Sequence, residues 1–351
     1  MGKGTLALYG HIGDLPLKPH RKFAMIRALR HCVEKLRHPE QLAEDAPYTL
    51  VMSSGGYGNA YWMKNYCGYK DDLFAQIEHG VYFGENTSPL VNPVHTEYEI
   101  GSIITYGPYR RCCIERDYEN VCVYEVGPYI QYAPRDEEYY RQIRASLDES
   151  QRTLTLFPAH SLVGEKQLFD HAQLRADVRR FAAEHAFGNL VVCISPMDFS
   201  SSLKQEYKAD GFLPVTCGRS TKTFLPRQRA IFEASDATIS NDLGTHIGYS
   251  LTFAKPHAMI DPLSFEDKIV APGAHREAMR AEVELLQRLF ASDGFTGMVS
   301  RDKRQAFNYY WGGDIKLSPD DMREVFVQCK ETYMGGAQPS YRPTDASVVA
   351  A

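Results

Sequence analysis

The chain has 351 residues, 44% of them hydrophobic and 24% charged, and its 39 basic and 44 acidic residues give a formal net charge of −5. That length favours two domains of about 150 to 200 residues over one core, the composition excludes a disordered chain, and the acidic balance disfavours generic nucleic-acid binding. No run approaches the length of a membrane span and Met1–Tyr9 lacks the features of a signal peptide, so a cytoplasmic protein is expected.

In chain order, Leu6–Tyr9 reads as a short strand broken by Gly10-His11-Ile12-Gly13-Asp14. Met25, Leu29, Cys32 and Leu36 then recur at helical spacing until His38-Pro39 ends the run. Tyr48–Met52 is apolar and runs into the turn-rich Ser53–Gly58, and a further segment closes on Gln76–Val81. Gly101–Tyr106 and Val121–Tyr124 are β-like, which completes an open α/β sheet. The charged, tyrosine-rich stretch Pro134–Arg144 leads to a new strand, Thr153–Phe157, and marks the expected boundary. Beyond it a helix near 172–186, a strand Leu190–Ile194, a strand Phe212–Thr216, a helix near 223–235, a strand Ala237–Ser240, a helix over 243–254 and the segment Lys255–Ile260 form a βαβαβ series. A helix near 274–291 and a last one from Ser318-Pro319, which opens with a capping box, close the unit. The expected architecture is two α/β domains, 1–147 and 148–335, across a cleft, with a frayed tail over 336–351. The eight cysteines include no CxxC spacing and read as buried reduced thiols.

Three segments could carry chemistry. Ser240-Asn241-Asp242-Leu243-Gly244-Thr245-His246 lies where a strand gives way to a helix. The open N–H groups and the dipole of a first helical turn bind anions, with Ser240 and Thr245 as hydroxyl donors and Gly244 allowing close approach; the same residues also read as a plain helix cap. Glu78-His79-Gly80 puts a carboxylate beside an imidazole, and either could remove a proton, although neighbours on a strand point oppositely. A solvated Glu78 and a structural His79 are the alternative. Pro158-Ala159-His160-Ser161 places a histidine at a strand exit, the side of an open α/β sheet where ligands bind. It also reads as an ordinary loop histidine. His11 and Gly218 sit at comparable strand ends without a dinucleotide or Walker pattern. Arg110 could pair with an anion or lie on the surface. No Asp-x-Asp and no spacing for two histidines and a carboxylate points to a metal.

Taken in order, Glu78-His79-Gly80, Ile103–Tyr106 with Tyr109-Arg110, Phe157–Ser161, Ser240–Tyr249 with Lys255-Pro256, and Tyr310-Trp311-Gly312 make the chain resemble GT-B-type glycosyltransferases of bacterial capsule and O-antigen assembly. It is more remotely similar to bacterial GT-B sialyltransferases and Kdo transferases. The His-Gly pair is also similar to that of teichoic-acid polyol-phosphate transferases, which use CDP-linked donors. The resemblance implies two Rossmann-like domains facing each other. The second would hold a nucleotide-activated donor at Ser240, Asn241, Gly244, Thr245 and His246, with Ser161, Gly218, Arg110 and His11 also lining the substrates. His160 would act on the leaving phosphate, and His79 or Glu78 would deprotonate a saccharide or lipid-linked acceptor held by the first domain. It further implies no cofactor and no metal, and peripheral association with the inner face of the membrane through the acceptor. A non-catalytic nucleotide-sugar sensor is the rival from another class.

Overall fold

The computed structural model describes residues 57–83, 101–160, 169–195, 198, 201–218, 222–263, 276–336 and 340–341. The expected elements at Leu6–Tyr9, 22–37 and Tyr48–Met52, the tail beyond 341, and the candidate residues His11 and Ser161 lie outside the described residues.

The first unit opens with α1 (Asn59–Cys67), followed by β1 (Gln76–Ile77), β2 (Ser102–Thr105), α2 (Pro108–Asp117), β3 (Tyr118–Glu119) and β4 (Cys122–Glu125). β1, β2 and β4 form one parallel sheet in that order, with Gln76 opposite Ile103 and Ser102 opposite Cys122. β2 is buried along its whole length, as expected for a parallel strand covered on both faces.

After α3 (Glu137–Ala145) the chain alternates without a break: β5 (Arg152–Phe157), α4 (His171–Glu184), β6 (Phe187–Cys193), α5 (Ser201–Ala209), β7 (Phe212–Val215), α6 (Phe224–Ala234), β8 (Ala237–Ser240), α7 (Thr245–Thr252) and β9 (His257–Met259). These five strands are all parallel and lie in the order β7-β6-β5-β8-β9. That is the doubly wound arrangement, in which the strand order reverses between β5 and β8 and opens a crevice at their carboxyl ends. Phe157 and Ser240 are the last residues paired across that seam, so the chain leaves both strands at the same level. The molecule therefore contains two Rossmann-like parallel α/β units.

Three helices follow, α8 (Arg276–Phe290), α9 (Arg301–Trp311) and α10 (Pro319–Met334), and then β10 (Ser340–Tyr341), which pairs antiparallel with β3. The capping box expected at Ser318 is present, with Ser318 accepting from Asp321 N and Pro319 at the first helical position. A division at 147/148 places α10 with the second unit, but its partners are in the first. Arg323 donates to Cys67 O at 2.5 Å and Lys330 pairs with Asp71 at 2.7 Å. α3, conversely, sits on the second unit: Tyr139 Oη donates to Thr216 O at 2.8 Å and Arg135 pairs with Glu233 at 2.9 Å.

α1 and α2 carry no apolar stripe that a sequence reading would detect. α2 buries Arg110 and Asp117 beside Tyr109, Cys113 and Ile114, so its inner face is partly charged. α3, which falls in the charged stretch expected as the boundary, is capped by Asp136, which accepts from Tyr139 N at 3.0 Å. α1 is bounded by left-handed glycines, Gly58 (φ 80°) and Gly68 (φ 68°). No described cysteine forms a disulfide, but Cys112 and Cys122 are exposed, contrary to the expectation of uniformly buried thiols.

Candidate functional site

The carboxyl ends of the two sheets meet. The loop after β1 lies against the turn that starts α7: Val81 N donates to Thr245 Oγ1 at 3.0 Å. Gly80 fits because it has no side chain, since a Cβ there would stand 2.8 Å from Thr245 Oγ1. Further along the same contact, the Tyr106 and Tyr249 hydroxyls are 3.2 Å apart, both phenols driven upward in pKa by burial. Trp311, at the end of α9, nests on α7 where Gly248 leaves room for its indole ring. Gly107 and Gly312 then bring backbone against backbone, and Gly312 (φ 64°) also ends α9 in the left-handed region, so glycine is required there twice over.

Glu78 and His79 have separate fates. Glu78 is 1% exposed, accepts from Arg110 Nη2 at 2.6 Å and from Arg110 Nε at 3.1 Å, and also accepts from Thr105 Oγ1. Arg110 is 0% exposed and also donates through Nη1 to Tyr82 O at 3.1 Å. This bears on the readings of both residues. Glu78 is not solvated, and its oxygens face a guanidinium rather than a substrate. Arg110 is not a surface residue, and the anion it pairs with is the Glu78 carboxylate. The pair fixes the backbone of residues 78–82 from below, and burial followed by the Glu78 charge pushes Tyr82 up to about 12. His79 points the other way, is exposed, and packs on the Tyr57 ring at 4.4 Å, which in turn stacks on Phe224 at 4.2 Å.

On the second unit the turn after β8 is built around two buried side chains. Asn241 is 1% exposed and accepts from Ala159 N at 2.7 Å, so it ties the exit of β8 to the exit of β5. Ser240 is 0% exposed; its hydroxyl donates to Asp242 O at 2.8 Å and lies 3.1 Å from His257 Nε2. Both were candidate ligands, and both instead hold the turn from inside. What the turn offers outward is the start of α7. Gly244, the N-cap, provides no side-chain cap, and the positive end of the α7 dipole lies at the strand exits; Ile247 N in the first turn donates to Gly244 O at 3.3 Å. Thr245 accepts through Oγ1 from Val81, and its own O–H proton is still available to donate. Gly244 is extended (φ −169°), and its missing side chain makes room for the ring of His246, whose Nδ1 would stand 2.9 Å from a Cβ there. His246 in turn stacks on Phe157 at 5.6 Å. His160 is exposed at the exit of β5, one residue beyond the Ala159–Asn241 bond. Gly218 serves a turn past β7 at φ 73° and is buried, which accounts for the glycine without a ligand.

The fold thus brings His79, Gly80, Thr245 and His246 into one locale and sets His160 on the neighbouring strand exit. A sequence reading missed Tyr57 and Phe224 as supports of His79, and His257 beneath Ser240; only the glycine-rich approach to Tyr57 hinted at the first. Among the described residues no group of three or more His, Cys, Asp or Glu side chains could hold a metal ion. No described helix is long and apolar enough to cross a membrane.

No family model matches the chain, and no curated protein matches it. Among solved structures, a variant of the wall teichoic acid polymerase TagF is similar at 12% identity with a TM-score of 0.38, and a second TagF structure at 12% identity with a TM-score of 0.35. Each match covers 67% of this chain and 59% of the TagF chain. The α,α-trehalose 6-phosphate synthase of Burkholderia multivorans is similar at 12% identity and a TM-score of 0.40 over 93% of this chain and 80% of that one. Likenesses this distant assign no chemistry to this chain.

Proposed function

We propose that the protein is a GT-B-type glycosyltransferase that moves a sugar from a nucleotide-activated donor to a hydroxyl of a surface-polysaccharide acceptor, saccharide or lipid-linked, at the inner face of the membrane. The observation that carries the reading is the Val81–Thr245 hydrogen bond, which seats the loop bearing an exposed histidine on the N-terminus of α7, where no side chain caps the helix, at the switch point of a doubly wound sheet.

In this mechanism the α7 N-terminus, the Thr245 hydroxyl and His160 hold the phosphate of the donor. His79 accepts the proton of the acceptor hydroxyl as its oxygen attacks the sugar carbon. The new C–O bond forms while the bond from that carbon to the phosphate oxygen breaks, and the nucleotide leaves with the electron pair. Glu78 and Arg110 take no proton; they hold the loop rigid so that His79 stays in register. Charge on the leaving group is met by the helix dipole and histidine, so the step needs neither metal nor cofactor.

The test is a thermal-shift screen with CMP, CDP, UDP, GDP and TDP, followed by incubation of the stabilising donor with acceptor and weighing of the product. A nucleotide that binds only the folded form raises its melting temperature. Stabilisation and a product heavier by one sugar support the reading. A gain of one phosphorylated polyol would assign the scaffold to polyol-phosphate transfer. Donor binding with no nucleotide released under any acceptor would mark a sensor, and no stabilisation by any of the five would overturn the donor site.

A further inference from the structure

Beneath the α7 turn lies a closed chain of polar contacts. Ser250 Oγ donates to Lys255 O at 3.0 Å, and Thr238 Oγ1 stands 2.6 Å from Ser250 Oγ and 2.7 Å from His257 Nδ1. The other ring nitrogen, Nε2, is 3.1 Å from Ser240 Oγ, which donates to Asp242 O at 2.8 Å. Thr238, Ser240, Ser250 and His257 are all 0% exposed.

Each of these five contacts needs one proton, and the three hydroxyls supply three. The ring must supply the other two. A neutral imidazole carries one N–H and an imidazolium carries two, so the chain is complete only when His257 is charged. Its surroundings oppose that charge: burial first, then His246 and Lys303, push His257 well below the ordinary histidine range. His246 approaches from α7 with its ring 5.6 Å away, and Lys303 approaches from α9, its Nζ donating to His257 O at 3.4 Å. Among the described residues, α8 brings the Phe290 ring to 6.0 Å, β8 brings hydroxyls, and the turn brings the Asp242 carbonyl to Ser240. The hydrogen bonds call for a second proton, and the local charges resist it.

We propose that an anionic phosphate seated on the α7 turn supplies the missing compensation, so that its binding is coupled to the uptake of one proton by His257. The proposal rests on the reading of that turn as the donor phosphate site. The proton comes from solvent, imidazole becomes imidazolium, and the completed chain fixes Ser240 and the Asp242 carbonyl that shape the turn. His257 touches no substrate; it is a positioning residue whose charge favours a phosphate over an uncharged nucleoside. Because the bound form holds the extra proton, affinity falls as pH rises between the ring's two pKa values, by at most about tenfold per pH unit.

Calorimetric titration of CDP, UDP and inorganic pyrophosphate at slightly alkaline pH, in buffers of different ionisation heat, measures the protons exchanged, and nitrogen-15 shifts of labelled histidine report the ring directly. The expected result is uptake of about one proton per ligand bound, movement of the His257 nitrogens to imidazolium values, and loss of the uptake in His257→Gln. Binding without uptake, with His257 nitrogens still neutral, would overturn the coupling and leave the anion site standing. No heat from any of the three ligands would remove both. Should His257→Gln fail to fold, the wild-type nitrogen shifts decide alone.

Discussion

Glu78 and His79 are neighbours in the chain, just past the end of β1, and opposites in their surroundings. Glu78 is sealed against Arg110 with both side chains at 0% exposure. Removing one partner of such a pair leaves a buried charge alone, so Arg110→Met is expected to lower unfolding free energy by about 3–5 kcal/mol, measured by denaturant titration. Glu78→Gln should weaken stability in the same direction. His79→Ala should leave stability nearly unchanged and reduce kcat by about 10²–10⁴-fold with donor affinity close to wild type, read from steady-state kinetics beside a donor titration. Full turnover in His79→Ala would remove it from the chemistry. At this scale the sequence was informative about residue type and silent about partners. A Glu–His–Gly run can be seen by eye, but nothing local links Glu78 to an arginine 32 positions away. Ser240 and Asn241 misled for a related reason: polar residues at a strand exit look like ligands until a buried His257 and the Ala159 amide claim them.

At the level of elements, β5, β6, β7 and β8 were legible because short runs rich in Leu, Val, Ile, Phe and Thr stand between turn signals. α1 and α2 were not, since their inner faces mix Asn and Arg with apolar residues and show no clean 3.6-residue stripe. Two contacts between elements carry predictions. Thr245→Val keeps the shape of α7 but removes the acceptor of Val81 N. Leaving that amide without a partner costs about 1–3 kcal/mol, and the expected result is weaker donor binding in a calorimetric titration. Gly248→Ala forces a methyl into the Trp311 ring; overpacking of this kind costs about 1–3 kcal/mol, visible as a lower melting temperature.

For the whole molecule, the two parallel units could be anticipated from the alternation of strands and helices, but not the way the chain divides between them. α3 belongs by its bonds to the second unit, and α10 returns to the first, burying Met322, Phe326 and Cys329 there. Those contacts join residues hundreds of positions apart, beyond the reach of periodicity. Transfer is expected to proceed undiminished in EDTA, because the leaving phosphate is met by a helix terminus and histidines; loss of turnover that magnesium restores would contradict that mechanism.

The return of α10 has a consequence for biosynthesis. A chain emerging from the ribosome ordinarily folds from its leading end, one unit at a time. Here the unit encoded first lacks the contacts of α10 until the helix ending at Met334 has been translated. The β5–β9 half, whose strands and crossover helices arrive together, can consolidate ahead of it, so the nascent protein completes its later half before its earlier one.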